Sequence, residues 1–262
     1  MTDATHALIQ HTSDARGVHQ ICLNRPDAFN ALSRELMTAL QQSLDAVAQD
    51  PQARVVVVSA QGKAFCAGHD LREMRASPSL AYYQALFKQC SRMMMSVQRL
   101  PVPVIAVVNG IATAAGCQLV AMCDLAVSSH ASKFAVSGVN LGLFCSTPSV
   151  ALSRNMSRKA AFEMLVTGDF ITAEQALVKG LVNAVVAPEA LDAAVQRYVD
   201  SILAKPRTAI AMGKKLFYEQ LEQPLEEAYA NAEHTMACNM MDDTALEGVQ
   251  AFIEKRNPSW KT

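Results

Sequence analysis

Two short stretches of small residues hold the chemistry this chain could do. Phe65-Cys66-Ala67-Gly68-His69-Asp70 and Thr113-Ala114-Ala115-Gly116-Cys117-Gln118 place Gly and Ala where a backbone can approach a ligand closely. The second stretch opens a predicted helix, so its first N–H groups lack intrahelical partners and its positive end points outward. Two backbone N–H groups converging from separate loops are what an oxyanion hole requires. Small residues there equally permit tight strand-to-helix packing, and spacing alone divides the two readings evenly. Other chemistry is excluded more firmly. The chain has no G-x-x-x-x-G-K-[ST], no G-x-G-x-x-G and no G-x-S-x-G, which removes the common phosphate loops and the nucleophile elbow. The six histidines are dispersed, none four residues from another, so no metal site is expected. Cys117 and Cys123, on one predicted helix, read as core filler.

The elements that must carry these loops alternate. A strand at Val18-Leu23 runs into the turn cluster Asn24-Arg25-Pro26-Asp27, and Ser33 then suits the N-cap of a helix with Leu36, Leu40, Leu44 and Val47 on one face. Asp50-Pro51 stops it, and Val55-Val58 reads as a strand buried on both faces. After a loop with Gly62 and Gly68 comes a long helix from about Pro78 to Leu100, then a buried strand Val104-Val108 ending at Asn109-Gly110. Twice, then, a buried β-branched strand feeds a small-residue loop and a helix, which predicts an α/β fold with mostly parallel pairing. From Arg158 onward the pattern is almost wholly helical. Thr172 with Gln175 forms a capping box, Gly180 is a stop, and Pro188, Pro206 and Pro224 stand where helices begin.

Composition bounds the rest. At 262 residues the chain exceeds one average domain. Its 51% hydrophobic and 18% charged residues exclude a disordered chain and imply a surface partly buried again in a homo-oligomer. A net charge of -1 argues against nucleic-acid or membrane-surface binding. No apolar run reaches the ~20 residues of a membrane span, and Met1-Gln10 shows no secretory pattern. Seven scattered cysteines fit reduced thiols, hence a cytosolic location.

Over essentially its whole length the chain resembles the enoyl-CoA hydratase/isomerase (crotonase) family. The matching segments are Asn24-Arg25-Pro26 with Asn30-Ala31-Leu32, Ala64 to Leu71, Pro103 to Gly110, Cys123-Asp124-Leu125-Ala126, Thr167-Gly168, Ala173-Glu174-Gln175-Ala176, Gly180-Leu181-Val182 and Ala251 to Arg256. The resemblance implies a crotonase-like spiral of repeated ββα units with a C-terminal helical trimerisation region, divided here at 1–200 and 201–262. It implies a homotrimer or dimer of trimers acting on an acyl-CoA thioester, with coenzyme A part of the substrate and no separate cofactor. The oxyanion-hole donors carried over are the backbone N–H groups of His69 and Ala115. The family uses the first position through its backbone, although an imidazole beside a thioester can do acid–base chemistry near neutral pH. Similarity puts Asp27, Ala28 and Phe29 at the pantetheine and phosphate entrance. It puts Ala67, Asp70 and Leu71 around the adenine, and Lys255 near a CoA phosphate at a subunit boundary. Arg25, Arg72 and Arg75 are further candidates on charge alone.

The departures from the family pattern lie at its proton-moving residues. The two positions that carry glutamates in hydratases hold Gln118 and Gly138, and a third, acidic in several isomerase branches, holds Ser146. A glutamine can hold a water but cannot take its proton. Each positioned acid or base contributes roughly 10²–10⁴-fold, so losing both slows hydration by about 10⁴-fold or more, although such effects are not additive. The stretch Gly138 to Pro148 resembles a narrower branch of the family that shares these losses. Its polar groups Asn140, Cys145, Ser146 and Thr147 are the ones expected to face the acyl end. The plainer reading has Ser146 and Thr147 capping a helix before Val150 and Cys145 packing. Three functions remain open: hydration or isomerisation with unusual groups, another acyl-CoA reaction such as thioester hydrolysis or decarboxylation, and acyl-CoA binding without catalysis.

Overall fold

The computed structural model describes residues 7–260; most of the segment read above for a leader lies outside the described residues. The strands are β1 (Ile9–Ser13), β2 (Val18–Leu23), β3 (Val55–Ala60), β4 (Ala64–Cys66), β5 (Val104–Val108), β6 (Ile111–Thr113), β7 (Leu125–Ser129), β8 (Lys133–Ala135), β9 (Ile171–Thr172) and β10 (Ala184–Val186). They form two sheets, ordered β1-β2-β3-β5-β7-β10 and β4-β6-β8-β9. Pairing in the larger sheet is parallel throughout except between β1 and β2. Three successive strand pairs, β3 with β4, β5 with β6 and β7 with β8, each send the first strand to the large sheet and the second to the small one. That repetition is the spiral of ββα turns.

Four helices complete the spiral around the two loops: α1 (Arg34–Gln49), α2 (Leu71–Ala76), α3 (Leu80–Arg99) and α4 (Ala115–Met122). Ser33 caps α1 by accepting from the Leu36 N–H at 3.1 Å, and Leu36, Leu40, Leu44 and Val47 are buried against the core. All of Val55–Val58 is buried, as expected of a strand covered on both faces. The helix expected from about Pro78 to Leu100 is α3, and α2 precedes it with Asp70 as N-cap, accepting from Arg72 N and Glu73 N.

The remaining helices are α5 (Ser146–Asn155), α6 (Arg158–Thr167), α7 (Ala173–Val178), α8 (Leu191–Leu203), α9 (Arg207–Gln220), α10 (Leu225–Met240) and α11 (Asp243–Ile253). The Thr172–Gln175 capping box starts α7, and Pro206 and Pro224 are the N-caps of α9 and α10. Helix α8 lies on the large sheet, burying Leu191, Ala194, Val195 and Val199 beside Val57 and Ile105. Helix α9 is tied to the spiral by a buried cluster. Lys214 Nζ donates to Asp124 Oδ2 at 2.7 Å and Tyr218 Oη donates to Asp124 Oδ1 at 2.8 Å, while Asp124 also accepts from the Val104 N–H.

Candidate active site

The two small-residue loops lie side by side. Gly68 has φ +90° and passes so close to the second loop that an added Cβ would sit 2.9 Å from Ala114 Cβ and 3.3 Å from Ala115 N. Only glycine adopts that conformation and spacing without strain. Thr113 Oγ1 donates to the Ala67 carbonyl at 3.0 Å, fastening the loops further. A Cβ on Gly116 would overlap the Cys66 carbonyl, so α4 starts directly against β4. Ala114, just before α4, has φ 49° and ψ -118°, an unusual conformation for a residue with a side chain. Such strain recurs at functional sites.

His69 and Ala115 consequently both line a cavity of about 310 Å³. Leu32 N donates to Gly68 O and Asp70 N donates to Leu32 O, which turns the intervening His69 N–H away from Leu32. Ala115 is the first residue of α4, so its N–H has no partner within the helix. Among the described residues neither N–H has an acceptor. Leu71, Met74 and Phe87 line the cavity together with Gly138, Cys145 and Ser146. Among the described residues no Asp or Glu lines it.

The His69 ring packs edge-on against Phe87, with centroids 5.4 Å apart, and among the described residues neither of its buried nitrogens has a hydrogen-bond partner. Burial holds its pKa below the ordinary imidazole value, against the opposing pull of the Leu32 carbonyl and the Glu73 charge. Cys145 is buried, which raises its thiol pKa and leaves it a poor nucleophile. Ser146 is the first residue of α5, and its hydroxyl donates to the Phe144 carbonyl at 3.4 Å instead of capping the helix.

Gln118 lies one turn along α4 and lines a neighbouring chamber of about 740 Å³; Thr147 lines both spaces. At Gly138 the backbone leaves no room for a side chain. An added Cβ would sit 2.7 Å from Cys145 Sγ and closer still to the Leu143 carbonyl oxygen. Asn140 is not brought to the cavity: its Nδ2 donates to the Gly168 carbonyl at 3.3 Å, and the residue is spent holding the turn after α6.

Asp27, Ala28 and Phe29 lie in a short turn held against the first loop, where Ala67 N donates to Phe29 O at 3.0 Å. The fully buried Asn30 builds that turn by accepting from Arg25 N and donating to the Gln61 and Ala64 carbonyls. Ala67 and Leu71 line the cavity, Leu71 half-exposed at 53%. Asp70 caps α2 and pairs with Arg25 at 2.7 Å, and these contacts, outweighing its burial, lower its carboxyl pKa. Arg25 is therefore engaged within the loop. Lys255 follows α11, with φ 55°, and is absent from the lining of either cavity. Met74, Phe87 and the second chamber were not visible in the sequence pattern.

Comparison with known proteins agrees with this architecture. Residues 13–262 match the family model described as enoyl-CoA hydratase/isomerase. The chain is 45% identical to the Xenopus laevis enoyl-CoA hydratase domain-containing protein 3, mitochondrial, over 96% of this chain and 87% of that protein. This is the branch that the Gly138 to Pro148 stretch resembles. The crystal structure of an enoyl-CoA hydratase from Mycobacterium smegmatis superposes with TM-score 0.97 at 61% identity, covering 98% of this chain and all of the other. Human enoyl-CoA hydratase domain-containing protein 3 gives 0.93 at 42%, with 97% and 100% covered. The Xenopus, mouse and human relatives are named as mitochondrial, which overturns the cytosolic expectation. The scattered cysteines argue against an oxidising compartment and cannot choose among reducing ones. By its matched length, its identity to these relatives and its spiral of ββα turns, the chain belongs to the enoyl-CoA hydratase/isomerase family.

Proposed function

We propose that the 310 Å³ cavity receives an acyl-CoA thioester with its carbonyl oxygen between the backbone N–H groups of His69 and Ala115. The observation that carries this reading is the pairing itself: residues from two separate loops line one cavity, and their N–H groups have no protein acceptor among the described residues. Such donors stabilise the charge that develops on a carbonyl oxygen during acyl chemistry. CoA would enter past the Asp27-Ala28-Phe29 turn, with Ala67, Asp70 and Leu71 beside the adenine. With Gln118, Gly138 and Ser146 at the usual acidic positions, the pocket polarises the thioester while lacking the carboxylate pair that adds water.

The helical region 201–262 serves oligomerisation in this reading. Leu225, Met241 and Phe252 are 73%, 76% and 85% exposed on its helices or at their ends, an apolar surface that further copies of the chain would cover. Lys255 would act across that boundary. Infrared spectroscopy of bound butyryl-CoA tests the hole directly. The thioester carbonyl stretch is expected to fall in frequency on binding, and an unchanged stretch with bound ligand would rule the hole out.

A further inference from the structure

The residue that offers one of the two cavity N–H groups carries a side chain left unsatisfied by its own enclosure. A neutral imidazole has one donor and one acceptor nitrogen, and among the described residues neither nitrogen of His69 finds a partner. The groups around the ring are otherwise engaged. Glu73 on α2 accepts from the Arg34 N–H of α1 at 3.0 Å and from the Tyr82 hydroxyl of α3 at 3.5 Å. Tyr83 on α3 donates to the Met74 carbonyl at 3.1 Å. Asp70 pairs with Arg25, and the Leu32 carbonyl accepts from Asp70 N. Cys145, the other titratable side chain lining the cavity, stays a thiol because burial raises its pKa.

A further proton on His69 therefore has no place where the ring now lies. It would add an N–H and a full charge without an acceptor, and an uncompensated buried charge costs far more than an unpaired neutral group. Glu73 draws charge towards the ring, but burial outweighs it. The protonated ring must leave Phe87, and a change of side-chain rotamer can carry it into the space this residue already lines, the thioester cavity.

We propose that His69 gates the thioester site by its own protonation: neutral, the ring stays against Phe87 and the cavity is open; protonated, it turns into the cavity and excludes the thioester. The residue then regulates binding and performs no step on the substrate. Affinity is full while the ring is neutral and falls as pH drops below the ordinary imidazole range, and binding at low pH expels a proton. This inference rests on the thioester reading of the cavity.

The test is calorimetric titration of octanoyl-CoA into the natural protein and into His69→Gln at about pH 7.5 and about pH 5. The natural protein should lose at least about threefold more affinity than the variant between the two. The excess is bounded at about 30-fold, the loss that an unshifted imidazole of pKa about 6.5 would give. Titration of the CoA phosphates affects both proteins alike and cancels in the comparison. Equal losses in the two proteins, or undiminished affinity of the natural protein at the lower pH, would overturn the gate and leave the thioester site standing. If octanoyl-CoA binds at neither pH, the thioester reading falls and the gate with it. Should His69→Gln fail to fold, the imidazole titration of the natural protein, followed by NMR, decides: the His69 pKa must fall on binding octanoyl-CoA, and an unmoved pKa overturns the gate.

Discussion

Adding one methyl group at Gly138 and at Gly213 should move stability in opposite directions. At Gly138 a Cβ would stand 2.7 Å from Cys145 Sγ and closer still to the Leu143 carbonyl oxygen. The thiol can swing aside, but the carbonyl belongs to the turn closed by Leu143 N donating to Gly138 O at 2.9 Å, so the backbone itself must shift. Overpacking of this kind costs about 1–3 kcal/mol. At about 2–4 °C per kcal/mol for a chain of this size, Gly138→Ala should lower the melting temperature by roughly 2–12 °C. Gly213 lies within α9 with nothing within 4 Å of an added Cβ. There the methyl group improves helix propensity and restricts the unfolded chain, worth about 0.5–1 kcal/mol, and the melting temperature should rise. Differential scanning calorimetry of both variants decides the matter. A Gly138→Ala variant as stable as the natural protein would refute the steric closure, and with it the conclusion that a glutamate cannot return here without rebuilding the turn.

Three further outcomes follow from the same structure. Burial, with the neighbouring His19 adding to it, lowers the His11 pKa, and burial lowers that of His69. Stability from these imidazoles is therefore present above their unfolded value of about 6.5 and lost as pH falls through the lower folded values, so urea midpoints should drop on acidification below neutrality; midpoints that rise would contradict it. Lys214→Met strands the Asp124 carboxylate, whose side chain is 14% exposed, and should cost about 3–5 kcal/mol in urea unfolding, most of it recovered by adding Asp124→Asn. Burial pushes the Cys66, Cys90 and Cys117 thiols up to about 12, so a thiol–disulfide reagent followed by mass spectrometry should modify exposed Cys238 first and reach those three only on unfolding.

Much of the frame was legible because its signals are local. Ser33 announced α1, the apolar face of α1 matched its burial, and four successive valines marked β3. The second sheet was not legible. Strands β4, β6 and β8 have three residues each, too few to display a period of two, so their sequences read as loops. The site divides in the same way. The glycine that lets the loops meet and the helix start at Ala115 are written in residue types, whereas the imidazole's burial against Phe87 is not. The second chamber draws on residues from Ser91 to Glu222 and exists only once α9 is docked. The ion pair that docks it joins residues 90 positions apart, a distance at which no periodicity or motif speaks. Asn140 shows the limit of polarity as a guide: its amide suits an acyl site, yet Gly168 claims it.

The absorbance of a 2-trans-enoyl-CoA, followed with purified natural protein, tests the central claim most directly. A site that polarises the thioester without a carboxylate pair is predicted to hydrate it at least about 10⁴-fold below a typical turnover of about 10 s⁻¹, that is, below about 10⁻³ s⁻¹. Hydration at ordinary enzymatic rates would contradict the account, because it would show that a pocket without a lining Asp or Glu can nonetheless move the protons of water.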